Sequence, residues 1–202
     1  MNKLLYNSKI RGGIKLAKTM WKPGTFIYPI PAVMVSCGDM ENSNIVTVAW
    51  CGNVCTNPPI LYISLRKSRY SYDMILKNKE FVVNLVTKDL AFKCDYAGVK
   101  SGKDVDKFEH LKLTKEESLN VKAPRILESP VNLECKLREV IELGSHDMFL
   151  ADIVNVTVDK SLIDKNNRLK LEDANLITYS HGEYYSLGEY VGKFGYSVKK
   201  KN

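Results

Sequence analysis

No part of the chain restricts its fold more than the stretch from Asn44 to Val86, where three apolar, β-rich runs follow one another with only polar punctuation between them. NIVTVAW gives way to the loop CGNVCTNPP, then to ILYISLRKSRYSYDMI, and then to EFVVNLV. Runs this short, rich in β-branched and aromatic residues, read as strands. The punctuation is chemically specific. Arg66-Lys67-Ser68-Arg69-Tyr70-Ser71 leads from the second run into a short helix. Helix N-terminal amides favour an anion, and arginine adds charge-assisted hydrogen bonds, so a phosphate grip is expected there.

The rest of the chain extends the β reading. Ala32–Cys37 is a strand, and the turn-rich Gly38–Asn44 makes it a hairpin with Ile45–Trp50. Ile60–Arg66 and Glu80–Val86 are further strands; both faces of the latter are apolar, with only Asn84 interrupting the second face. Ser71 is expected to cap a helix over Tyr72–Lys77, and Thr87 a helix from Lys88 to about Ala97. Gly98–Lys122 is polar, with helical turns expected near Val105–His110 and Glu116–Leu119, and its length fits a functional loop. Val131, Leu133, Cys135 and Leu137 alternate with polar residues, but Glu139 falls on the apolar phase. Phe149, Ala151 and Ile153 alternate until Val154, Val156 and Val158 slip by one, which places a β-bulge near Ile153. Gly144-Ser145-His146-Asp147 turns between these two strands, and a last hairpin is expected around His181-Gly182-Glu183. Many strands, few helices and no βαβ alternation point to a mainly β, closed antiparallel barrel with peripheral helices. The expected organisation is an N-terminal extension over 1–22 and one barrel domain over 23–202.

Composition narrows the function. At 202 residues, 45% hydrophobic and 26% charged, the chain can bury a sizeable core. Its net charge of +7 raises nucleic acid as a partner, but the lysines are scattered and no arginine-rich stripe interleaves with aromatics, so no nucleic-acid partner is expected. No apolar stretch approaches the roughly 20 residues that span a bilayer, and Met1–Lys22 has no continuous apolar core; a cytoplasmic protein is expected, without a membrane role. The five cysteines read as reduced. Cys51 and Cys55 form a C-x3-C without the second ligand pair of a structural zinc, so no metal is expected.

These residues, in this order, resemble the flavin reductase-like family of FMN-binding split barrels, and its flavoredoxin branch in particular. The resemblance rests on Pro29-x-Pro31-AVMVSC, the whole Asn44–Val86 stretch, Ser101-Gly102 before Val105-Asp106-Lys107-Phe108, His146 before Phe149–Ile153, and TYSHGEYYSLGEYVGKFGYS. It covers about Lys22–Lys199. It implies a six-stranded antiparallel split β-barrel, forming a homodimer with non-covalent FMN near the interface. It also implies electron transfer between NAD(P)H or a protein donor, the flavin, and a small-molecule or protein acceptor. By position in the motif, Thr47, Val48, Ala49 and Trp50 line the isoalloxazine ring, Ser64, Leu65 and Arg66 follow it toward the ribityl chain, and Arg69, Tyr70 and Ser71 hold the phosphate. Asn84 and Lys93 are carried over as further cofactor contacts, and His146 as the residue facing substrate or nicotinamide.

Each role has a plainer counterpart. Thr47 also reads as an ordinary strand residue, Trp50 as core or interface, Arg66 and Arg69 as a solvated charge cluster, and His146 as a surface turn residue. Gly188, Gly192 and Gly195 form no dinucleotide fingerprint, because no strand precedes them. A non-enzymatic FMN-binding electron carrier is the alternative to an enzyme.

Overall fold

The computed structural model describes residues 18–198 together with the backbone of 10–11 and 14–15. Most of the N-terminal extension and the Lys199–Lys201 run therefore lie outside the described residues.

The architecture is one strongly curved antiparallel sheet. Its strands are β1 (Val33–Gly38), β2 (Ser43–Val48), β3 (Cys51–Cys55), β4 (Ile60–Leu65), β5 (Glu80–Leu85), β6 (Val131–Glu142) and β7 (Asp147–Val158). The order across the sheet is β2-β1-β5-β6-β7-β4-β3. β2 and β3 lie at its opposite ends, yet only Ala49 and Trp50 separate them in sequence. The sheet therefore rolls until its ends meet. Ala49 accepts the Cys51 N–H at 3.0 Å, and Trp50 accepts the Ser64 N–H at 2.7 Å, which locks the crossing. The run expected as one strand into Trp50 thus serves both edges, and the barrel splits at that bend. The mainly β split barrel that was expected is thus present.

The interior follows from the period of two. On β4, Leu61, Ile63 and Leu65 are buried while Ile60, Tyr62 and Ser64 are only half-buried; on β7, Phe149 and Ala151 point inward. With Val35, Val46, Phe81 and Val83 they form the barrel core. The strand β1 is buried on both faces because a second apolar layer covers it outside. There Met34 and Ile45 pack with Cys94 and Ala97 of helix α2 (Ala91–Val99) and with Phe108 of the short helix α3 (Lys107–His110). Two bulges account for the phase slips. Between β6 and β7 the register shifts at Glu134/Cys135, opposite Val154, and again between Leu137 and Glu139. The first is the bulge expected near Ile153, and the second moves Glu139 off the inner face.

Local readings needed correction where distant groups intervene. Helix α1 spans Tyr70–Asn78, and its N-cap is Arg69, not Ser71. Ser71 lies inside the first turn, buried, where its hydroxyl accepts a hydrogen bond from Asn44 Nδ2 at 2.8 Å. Thr87 precedes a 3-10 turn, Lys88–Leu90, and makes no side-chain cap; the α-helix begins only at Ala91. Lys115–Glu116 is not helical but pairs antiparallel with Arg125–Ile126. Ile30–Pro31 joins β8 (Ile177–Ser180) and β9 (Glu183–Ser186) in a small sheet.

Candidate functional site

The polar loop after β4 turns back on itself, with Arg69 N–H donating to Arg66 O at 3.0 Å, and α1 starts at once. The first turn of α1 faces β2 on one side and the segment after α2 on the other. A niche of about 80 Å³ lies between them, lined by Asn44, Ser68, Arg69, Ser71, Ser101 and Lys107 among others. Gly102 closes one wall. A Cβ there would fall 2.3 Å from Asn44 Oδ1 and 2.7 Å from Tyr70 Cδ1, so only glycine lets the loop approach this closely.

Lys107 is the least expected member. The side chain of Asp106 caps α3 by accepting from the N–H groups of Phe108 and Glu109. That fixes Lys107 at the first helical position with its side chain turned inward, only 3% exposed. Its ammonium donates to Ile45 O at 2.6 Å and Ala97 O at 2.7 Å and forms no ion pair among the described residues. Burial, then repulsion from Arg69, pulls its pKa down to about 8, with nearby Cys37 opposing slightly. Two carbonyls engage two of its three N–H bonds. A buried cation without a counter-ion beside helix N-terminal amides fits an anion of phosphate size.

The other cationic group is positioned rather than free. Arg69 is exposed, and its Nη1 donates to Gly98 O at 2.9 Å, which ties the start of α1 to the end of α2. Thr47 makes a parallel tie: its hydroxyl donates to Cys94 O, and Gly98 packs so close that a Cβ would lie 3.0 Å from Thr47 Cβ. The Thr47 hydroxyl is therefore a strand-to-helix bond, which leaves its backbone and methyl for any ligand. Val48 and Leu65 are buried in the barrel core, leaving only their backbone for a ligand. Ala49, Trp50 and Ser64 are half-buried along the bend, with Arg66 exposed next to them. Trp50 also leans toward Tyr28, their ring centroids 6.3 Å apart.

His146 belongs to this cluster. It precedes Asp147, which pairs with Leu65 across the sheet, so the turn sits beside the Arg66 loop. Partial burial, then Arg66 and Arg69, lowers its pKa below the usual 6.5, which keeps the imidazole neutral near neutral pH. Ser145 Oγ lies 3.0 Å from its Nδ1. Asp147, fully buried, fastens the same turn to α1: its Oδ2 accepts from Tyr72 Oη at 2.6 Å and meets Lys67 Nζ at 3.4 Å. The Tyr72 hydrogen bond, assisted by Lys67, holds this carboxyl below its ordinary range against the effect of burial.

Thr47–Trp50, Ser64–Ser71 and His146 are thus brought to one end of the barrel. Asn84 and Lys93 are not part of this cluster. Asn84 is fully buried; its amide donates to Met34 O and Ser36 Oγ and accepts from Ile126 N–H and Asn132 Nδ2, an internal bracket with no valence left for a cofactor. Lys93 reaches Lys112 O at 3.2 Å on the outer side of α2. The residues sequence reasoning missed are Asn44 and Lys107. For Lys107 the only signal was its place between a capping aspartate and an apolar Phe108. The five cysteines are unpaired, and Cys55 alone of them is exposed. Among the described residues no acidic, cysteine or histidine cluster is placed to hold a metal, and no helix is long and apolar enough to cross a membrane.

Comparison with known proteins places the fold. The family profile described as "Flavin reductase like domain" matches residues 25–188. The fold is similar to that of flavoredoxin from Desulfovibrio vulgaris (Miyazaki F), with a TM-score of 0.83, 32% identity, and coverage of 90% of this chain and 100% of that one. Flavoredoxin from Methanosarcina acetivorans gives a TM-score of 0.80 and 26% identity over 90% of this chain and 99% of that one. An uncharacterized protein of Archaeoglobus fulgidus is 35% identical over 132 residues, 65% of this chain and 74% of its own length. The chain belongs to the flavin reductase-like family.

Proposed function

We propose that the protein is a flavin-binding oxidoreductase that holds FMN without a covalent bond and passes electrons between NAD(P)H or a protein donor and a small-molecule or protein acceptor. One observation carries the cofactor assignment: Lys107, a buried ammonium with no counter-ion among the described residues, lines a niche of about 80 Å³ at the start of α1. Arg69, Ser68 and Ser71 complete a phosphate site there. The ring system then lies along Ala49–Trp50 and Ser64–Arg66, at the split of the barrel. Family membership and the likeness to flavoredoxins support the same reading.

When bound, the flavin supplies the hydride- and electron-accepting centre. The chain's own residues bind, orient and tune. Arg66 places positive charge beside the trough, where it favours an electron-rich ligand. His146, kept neutral by burial and by the two arginines, offers one donor and one acceptor at the turn facing the trough, suited to contact with nicotinamide or substrate. The apolar side chains left bare on both terminal segments support a homodimer, and the unpaired cysteines fit a reducing cytoplasm.

Two measurements test this. Arg69→Ala should weaken FMN binding by about ten- to a hundredfold, as expected for the loss of one charge-assisted hydrogen bond; unchanged affinity would remove Arg69 from the site. Anaerobic mixing of FMN-loaded protein with NADH or NADPH should bleach the flavin absorbance. Flavin that stays oxidised with both would favour an electron carrier served by a protein donor.

A further inference from the structure

The niche presents donors. Its charged side chains, Arg69, Lys100 and Lys107, are all cations, and among the described residues no carboxylate or histidine lines it. The first-turn N–H groups of α1 add donors that the helix itself leaves unpaired. Asn44 and Ser71 complete the lining and are 3% and 1% exposed. Asn44 belongs to β2 and Ser71 to the first turn of α1, yet Asn44 Nδ2 donates to Ser71 Oγ at 2.8 Å. A hydroxyl carries one proton and two lone pairs, so the amide fills a lone pair and turns the proton away from itself. Among the described residues that proton meets no oxygen acceptor, and the Cys37 sulfur beside it is a weak one. Leaving a buried donor unpaired is costly, and the niche is the space open to it. Ser101 repeats the pattern, its Oγ accepting the Lys103 N–H at 3.2 Å.

We propose that Asn44 is a positioning residue: by holding the Ser71 hydroxyl as a donor, it makes the niche select the dianion of a phosphate monoester. A dianion offers three acceptor oxygens and needs only donors. A monoanion carries a P–O–H proton that a lining of donors serves poorly. Asn44 Oδ1 is turned toward Gly102, where a Cβ would fall 2.3 Å away, so the amide is held in this orientation by the wall of the niche. The proposal rests on the reading of the niche as the flavin phosphate site.

The test measures FMN affinity of the flavin-free protein from pH 5 to 7.5, alone and with sulfate as competitor. The second ionisation of a phosphate monoester lies near pH 6, so FMN affinity should fall about tenfold across this range. Sulfate stays dianionic and reports titration of the protein itself, including that of His146, held below 6.5 by partial burial and then by Arg66 and Arg69. Burial leaves Lys107 at about 8 and pushes Cys37 up to about 11, both above the range. Sulfate affinity should therefore change by less than about twofold. In Asn44→Ala the hydroxyl is free to turn and accept the P–O–H proton, which flattens the FMN profile. Asn44→Asp, nearly isosteric, accepts the Ser71 proton itself and flattens it in the same way should the alanine variant fail to fold. At pH 7.5, Asn44→Ala should weaken FMN about tenfold in the natural chain but less than about twofold in a Ser71→Ala background. Equal losses in both backgrounds would make Asn44 merely structural and overturn the proposal. FMN and sulfate affinities that move in parallel, or an FMN profile that neither Asn44 variant flattens, would overturn it too. If no flavin bound at all, the FMN reading itself would fail, and inorganic phosphate in place of FMN, read by calorimetry against sulfate, would decide the niche by the same criteria.

Discussion

Lys107 links ligand binding and stability with opposite signs. Its folded pKa of about 8 lies below the ordinary 10.5, so between these values the unfolded chain holds a proton that the folded chain has released. Stability of the flavin-free protein from this group therefore rises as pH climbs from about 8 toward 10.5. Affinity for an anionic phosphate moves the other way, because the neutral amine no longer attracts it. Lys107→Met should remove both dependences, weaken FMN by about ten- to a hundredfold, and leave the flavin-free fold at least as stable. Paired calorimetry and denaturant titrations across that pH range check both signs. Asp147 behaves as a structural acid: its lowered pKa means the stability it contributes is complete above the ordinary carboxylate value of 3.8 and lost as pH falls through its folded pKa. The stability gap between the natural chain and Asp147→Asn should thus be widest near neutral pH and shrink in acid, with Tyr72→Phe narrowing it at neutral pH. A gap that stays constant down to acid pH would show that the carboxylate charge contributes nothing.

The elements show what could be read locally and what could not. Alternation on β4 and β7 was legible because one face of each strand packs in the barrel, and the slip at Val154 was legible because a bulge shifts that alternation by one residue. The start of α1 was misplaced by two residues. Ser71 is a good local cap, but Asn44, distant in sequence, engages its hydroxyl inside the helix. Likewise nothing near Lys107 announces burial; its carbonyl partners Ile45 and Ala97 come from β2 and α2. Asn84 fails in the reverse sense, for motif position implied a ligand where the fold needed a bracket between β1, β5 and the Arg125–Ile126 ladder. The niche depends on that long-range assembly. Gly102→Ala should push Asn44 and Tyr70 aside and lower FMN affinity about tenfold, while the thermal midpoint of the flavin-free protein changes little. Equilibrium dialysis and calorimetry separate the two effects.

At the scale of the whole molecule, both terminal segments leave the small β8–β9 sheet carrying large apolar side chains that no other described residue covers. Trp21 is 74% exposed and Phe194 102%, with Phe26, Ile27, Tyr190 and Val191 also bare. Apolar surface of this extent is what association covers. A Tyr190→Asp/Phe194→Asp double variant should shift the protein from dimer to monomer in sedimentation while keeping its β spectrum; a natural chain that already sediments as a monomer would contradict the dimer. The central claim remains the flavin at the barrel split. The most direct test is the visible absorption spectrum of the protein after incubation with FMN and gel filtration. The structure predicts flavin bands at about one FMN per chain, co-eluting with the protein and sharply reduced in Lys107→Met. A colourless natural protein, or one whose flavin content ignores Lys107, would contradict it.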